Sequence, residues 1–210
     1  MLQPLTLWAA DTVLFPATEA LLHPRQPAEQ AFFRAAFQQQ TTFGVLWQAK
    51  ASRLARAGVL AQAVALKEYR DGRMEVDIVG MQRFKLQELL TAQPTLQGRV
   101  ALLPEHADTA AADNVVVQAR RLLERYLLLV QDVDPVLGRD MPADVALAVW
   151  PFQAANQLAL GHQVRQELLE LDSHKARMIK IIEALRQEIA HLDFLTHHSQ
   201  PPRRAQLRLN

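Results

Sequence analysis

The sequence predicts an α+β protein: a strand-rich first half that folds as a small, strongly bent sheet or open barrel with a short inserted helix, then a C-terminal helical bundle. Three observations carry this. In "EVDIVGMQRFKLQEL" (75–89) Val76 and Ile78 fall on one face and Glu75 and Asp77 on the other, the period of two that a half-buried strand requires. Asp71 and Gly72 form the dipeptide that tolerates positive φ between two extended runs. From about residue 109 the apolar spacing changes to steps of three and four.

In chain order, "DTVLFP" (11–16) reads as the end of a strand stopped by Pro16. "QPAEQAFFRAAFQQQ" reads as a helix, with Pro27 in its first turn and Phe33 and Phe37 one turn apart on a common face. "FGVLW" (43–47) starts a new strand, and residues 58–80 form a hairpin about Asp71 and Gly72. A further strand pair is expected in "RFKLQELL" and "TLQGRVALL", separated by Pro94, with Leu96, Gly98, Val100 and Leu102 alternating against Gln97, Arg99 and Ala101. The polar, small-residue stretch "PEHADTAAADN" then serves as a linker.

The helical half opens with Val115, Ala119, Leu122, Tyr126 and Leu129 on one face. Beyond Pro135 and Gly138, "PADVALAVWPFQAANQLAL" offers one or two short helices broken or bent at Pro151, and "HQVRQELLEL" a further helix. The last helix, roughly Asp172 to Leu195, carries Leu171, Met178, Ile182, Leu185, Ile189 and Leu192 as a seam. Packing within a bundle is the reading adopted for that seam; a coiled-coil dimer through the last helix is the alternative. The expected division is residues 1–107 for the β domain, 108–198 for the bundle and 199–210 for a frayed tail.

Composition narrows the chemistry. The 210 residues are 50% hydrophobic and 21% charged, enough for a real core. The net charge of +1, from 23 basic and 22 acidic side chains, supplies no global field for nucleic acid or an anionic membrane. The chain has no cysteine, which excludes disulfides, thiolate metal sites and a cysteine nucleophile. The opening residues lack a secretory leader and no later stretch approaches the ~20 apolar residues of a membrane span, so a cytoplasmic location without a membrane partner is expected.

Catalytic patterns are missing as well. Ser52, Ser173 and Ser199 sit in no glycine-flanked elbow, and Lys50 near Ser52 has no oxyanion site beside it. The glycines form neither a glycine-lysine phosphate loop nor a GxGxxG run, so ATP hydrolysis is not expected. Glu188 with His191 and Glu170 with His174 have helical spacing for two ligands, but a di-iron bundle needs a second Glu-x-x-His, and these pairs read as solvated helix surface. No metal, cofactor or catalytic residue is assigned.

Taken together, Val13 to Pro16, Phe43 to Val45, Gly58, the Asp71-Gly72 turn, Gly80 followed by Arg83 and Phe84, and the later "QELLE" run before an arginine-bearing helix resemble the N-terminal substrate-binding domain of Lon proteases. The resemblance covers nearly the whole chain. It departs in that "LLHPRQPAEQAFF" stands where the family has Phe-Glu-x-Arg-Tyr, and in that no ATPase or serine-lysine protease segment is present, so the expectation is a stand-alone Lon-N-like protein. The resemblance implies a PUA-like β domain, no catalysis, and binding of unfolded or peptide segments of other proteins.

Two physical routes to such binding are open: an exposed sheet edge that adds a strand, or an apolar groove between the β domain and the bundle. Trp47, Tyr69, Met81, Trp150 and Phe152 are the candidate peptide-binding residues, with plain core packing as the alternative for each. Arg83 and Phe84 read as structural. Competing functions are RNA binding through Lys50, Arg53 and Arg56, against which the near-zero net charge counts, an accessory role beside a full-length ATP-dependent protease, and an enzyme with a dispersed site.

Overall fold

A computed structural model of the chain describes residues 2–49, 54–91, 96–105, 113–133 and 145–198. Outside them lie Lys50, Ser52, Arg53, Pro94, Pro135, Gly138, most of the expected linker and the tail. The elements are β1 (Leu2–Ala10), β2 (Glu19–Leu22), α1 (Pro27–Gln38), β3 (Thr42–Trp47), β4 (Ala57–Glu68), β5 (Met74–Thr91), β6 (Leu96–Leu102), α2 (Asp113–Val133), α3 (Trp150–Gln157), α4 (His162–Glu170) and α5 (His174–His198).

The fold is the α+β arrangement expected, with a bent six-stranded sheet ordered β2-β5-β4-β3-β1-β6. β5 also pairs with β6, so pairing runs round a ring while β2 hangs on β5 outside it, and the result is not a regular barrel. All pairings are antiparallel except β1 with β3. The first strand precedes "DTVLFP" instead of ending in it: residues 11–18 cross over the sheet as irregular chain. Gly80 permits the crossing, because a Cβ there would lie 2.2 Å from the Phe15 carbonyl oxygen, and the two segments exchange Ala17 N–H to Gly80 O (2.8 Å) and Gly80 N–H to Thr18 O (2.9 Å).

The runs read as separate strands at 75–80 and 83–90 are one strand, β5, interrupted by a bulge. Gly80 pairs with Ala61 and Gln82 with Leu60, which leaves Met81 as an extra residue. A bulge shifts side-chain alternation by one position. Before it, Val76 and Ile78 face the main core; after it, Arg83 takes that direction and Phe84 turns to the opposite face. There Phe84 packs with Leu7, Leu46 and Val100 as a second core inside the ring. Gly44 and Gly58 make the room, since a Cβ on either would fall 2.8 or 2.7 Å from the Phe84 ring.

α1 starts at Pro27, and the Glu29 carboxylate accepts the otherwise unpaired N–H groups of Arg25 (2.8 Å) and Gln26 (3.0 Å). It docks through Phe32 and Phe33 on Trp8 and Phe43. In the helical half the seam of α5 is buried against α2 within the same chain: Met178, Ile182, Leu185 and Ile189 meet a face holding Ala119, Leu123 and Tyr126. Pro151 begins α3 instead of breaking a helix, in a first-turn position where its missing N–H is no loss. His174, read as solvated, is buried and bonds the Leu147 carbonyl through Nε2 (2.9 Å).

The two halves meet on a buried ion triad. Arg83 from β5 and Arg177 from α5 both reach Glu105, Arg83 through Nε and Arg177 through Nη2 (3.1 Å), with side chains 2%, 1% and 9% exposed. Arg83 Nη1 donates to the Leu169 and Leu171 carbonyls (2.8 Å each), and Arg177 Nη1 to Leu171 (2.6 Å), so the open end of α4 is closed by cations, as the helix dipole favours. Both guanidinium groups also lie over the Phe152 ring, at 5.6 and 5.0 Å.

Glu105→Gln removes the carboxylate that two buried guanidinium groups share and is expected to cost about 3–5 kcal/mol in chemical denaturation. A loss below about 1 kcal/mol, the range of exposed pairs, would show that the triad does not hold the seam.

Candidate functional site

The five residues expected to bind peptide are not brought together. Trp150 and Phe152 are 5% and 1% exposed and belong to the seam, which corrects their placement in a groove: the space between the halves is filled by Phe152, the triad and Phe15, whose ring lies 5.5 Å from that of Phe152. Trp47 is half-buried and tilted against His162 (6.4 Å) at the edge of the seam. Tyr69 stands at the β4–β5 turn, its hydroxyl donating to Glu75 (2.6 Å) and its ring contacted by the Lys67 ammonium (4.6 Å) and Arg73 guanidinium (5.0 Å). Met81 is 48% exposed because it is the extra residue of the bulge, and Val64, 50% exposed, is its counterpart at the second irregularity on β4.

Three depressions of the described surface bear on binding. The first, about 490 Å³, lies at the Asp71–Gly72 turn between His23, Arg25 and Glu75. Asp71 and Arg73 there neutralise one another (2.7 Å), the hydrogen bond from Arg73 holding the Asp71 carboxyl below its usual range. The second, about 290 Å³, lies at the rim of the seam between the crossing segment 12–20 and the α3–α4 junction. Arg165 lines it.

The third is the largest, an open groove of about 800 Å³ where β1 and β3 diverge. The two strands pair only from Leu7 with Gly44 to Ala10 with Trp47, while β1 pairs with β6 from Leu2 to Leu7. Gln3 to Thr6 therefore have a strand on one edge alone, and the other edge faces the groove. Pro4 fits that arrangement, since a proline within a sheet is tolerated where its nitrogen faces an unpaired edge. Opposite stand Thr41 and Thr42, which the chain reaches by reversing through Gln40 at φ 53° after α1. Phe32 and Phe43 supply apolar floor, Gln39, Gln40 and Gln97 amide walls, and among the described residues no ionisable side chain lines the groove.

The sequence offered no sign of this groove, because amides and hydroxyls in short polar segments carry no motif; the divergence of two parallel-paired strands creates it. Of the proposed basic face, only Arg56 is among the described residues, where it is exposed. Among the described residues no cluster of three histidines or acids could hold a metal, and no helix is long and apolar enough to cross a membrane.

Comparison with known proteins gives a consistent picture. Residues 5–187 match the model of the ATP-dependent protease La (LON) substrate-binding domain. Lon protease 2 of Herpetosiphon aurantiacus is 28% identical over 206 residues, covering 90% of this chain and 24% of that protein. Lon protease of Porphyromonas gingivalis is 27% identical over 140 residues, 63% of this chain and 16% of that protein. The chain thus spans less than a quarter of the length of these curated relatives. Among solved structures, the Lon N-terminal domain protein from Xanthomonas campestris superposes with a TM-score of 0.68 at 20% identity, covering 86% of this chain and 98% of that one. The N-terminal domain of Mycobacterium avium complex Lon protease does so with a TM-score of 0.62 at 15% identity, covering 88% and 98%. Both share the fold.

The different placements of Phe152 and Met81 are measurable. Phe152→Ala, which empties a fully enclosed site, is expected to cost about 3–5 kcal/mol of stability, whereas Met81→Ala is expected to stay within about 0.5 kcal/mol of the parent; equal costs in denaturant titrations would contradict this assignment of core and surface.

Proposed function

The chain belongs to the family of LON substrate-binding domains, and on that premise we propose that it is a polypeptide-recognition module that acts by binding alone and takes extended segments of unfolded proteins. The observation that carries this reading is the unpaired edge of β1 in a groove free of ionisable side chains. An extended segment laid along Gln3 to Thr6 would continue the sheet, and main-chain hydrogen bonds serve any sequence equally. Phe32 and Phe43 would shelter apolar side chains of the segment, while the amides and hydroxyls of the walls bond its peptide groups.

The groove also limits affinity. Pro4 contributes no donor, so a docked strand gains few bonds, each worth about 1 kcal/mol net. Weak, reversible capture follows, suited to a module that must release what it holds. With neither wall charged, binding at this groove should depend little on salt. Trp47, Tyr69 and Met81 would add contacts only to a long segment that wraps the surface.

A labelled, unstructured peptide of Ser, Thr, Val and Leu is expected to bind with a Kd in the micromolar range or weaker, with no turnover of ATP or peptide. Placing charge on both walls with Gln3→Lys and Thr42→Lys should weaken binding about tenfold, the loss of one or two such hydrogen bonds, at unchanged thermal stability. Peptide methylated on alternate backbone nitrogens should bind no better than to the double variant. Full affinity in either case would refute strand addition at this edge.

A further inference from the structure

Arg165 is set apart from the other withdrawn arginines. Among the described residues, four arginines are not exposed: Arg34, Arg83, Arg165 and Arg177. Arg34 is paired with Glu68 (2.8 Å), and Arg83 and Arg177 share Glu105. Among the described residues Arg165 has no ion-pair partner. Its Nε and Nη2 donate to the Val13 carbonyl (3.4 and 3.1 Å), and Nη2 also to Asn156 Oδ1 (3.0 Å). The guanidinium lies over the Phe15 ring at 4.5 Å. These contacts fix its position and leave its charge uncompensated.

Burial pushes the Arg165 guanidinium below its ordinary range. A cation drawn partly out of water without a counter-ion is costly unless something supplies the charge. Arg165 lines the cleft of about 290 Å³ at the rim of the seam, where Thr12, Asn156 and His162 add polar side chains. Glu19 stands on the same rim, exposed and outside ion-pair distance.

We infer that this cleft is a subsite for a single carboxylate of a bound polypeptide, held by Arg165 beside Asn156 and Thr12. The assignment rests on the polypeptide-recognition reading above and adds a second contact to it. One uncompensated positive charge matches one monovalent anion, and Glu19 on the rim disfavours a phosphodiester chain, whose charges repeat along its length. A charge-assisted hydrogen bond from a preorganised guanidinium is among the stronger polar contacts a protein makes. The carboxylate comes either from a chain terminus or from an Asp or Glu side chain.

The test uses the full chain and three versions of one unstructured peptide in isothermal titration: free C-terminal carboxylate, C-terminal amide, and C-terminal amide with one internal Asp. At least one carboxylate form should bind about tenfold more tightly than the plain amide, and which one identifies the source. Arg165→Gln, which keeps a donor for Val13, should abolish the difference. Should that variant fail to fold, Asn156→Asp serves: it places a carboxylate beside Nη2, satisfies Arg165 from within, and should remove discrimination in a protein as stable as the parent. Equal binding of acid and amide, discrimination that survives Asn156→Asp, or displacement of the acid peptide by a single-stranded oligonucleotide at ~0.15 M salt would each overturn the subsite. If the amide peptide still binds at the β1 groove in those cases, only this inference falls; if no peptide binds at all, the functional reading falls with it.

Discussion

Glu105 held between Arg83 and Arg177 is the contact on which the rest of the molecule depends. It joins β5 to the last helix through a carboxylate only 9% exposed, and the same two arginines close the carbonyl end of α4. Breaking such a pair costs far more than it would at a surface, because the remaining charge cannot return to water. The two halves are thus tied by a contact that is costly to break, and the proposed recognition uses surfaces that exist without parting them.

The triad exists because of one extra residue. Without the bulge at Met81, the period-two rule would aim Gln82 and Phe84 at the helical half and Arg83 into the ring. With it, one strand serves two cores: Ile78 in the first, Phe84 in the second, and Arg83 on the seam. Gly80, one residue earlier, lets the segment around Phe15 cross at the same place, and Phe15 brings the face on which Arg165 rests. Packing, ion pairing and the candidate carboxylate subsite thus share a neighbourhood fixed by Gly80, Met81 and Arg83.

Much of this was legible in the sequence, for reasons that vary by residue. The Asp71–Gly72 turn, the alternation of Val76 and Ile78 and the seam of α5 are local periodicities, and each lies where its pattern places it. Among the motif residues, Gly44, Gly58 and Gly80 share one physical role, making room for the Phe84 ring or the crossing chain. The bulge was not legible: Gly-Met-Gln-Arg-Phe reads equally well as a break between two strands. Nor were the burial of Trp150 and Phe152 or the solitude of Arg165, since these depend on which segments meet and not on spacing along the chain. "QELLE" carries its meaning only in three dimensions, where Gln166 bonds the Ala57 carbonyl (3.1 Å), Leu168 and Leu169 fill the core, and the helix end receives the arginines.

The molecule joins a sealed seam to an open edge, and amide hydrogen exchange reads both at once. When an unstructured peptide is added in excess, the amide of Thr6, which shares the direction of the Pro4 nitrogen on the open edge of β1, should gain protection. The amides of Leu103, Leu169 and Leu171 beside the triad should exchange as slowly as before. Protection that appears elsewhere and leaves the β1 edge unchanged, or faster exchange along the seam, would contradict a rigid module that binds by extending its sheet.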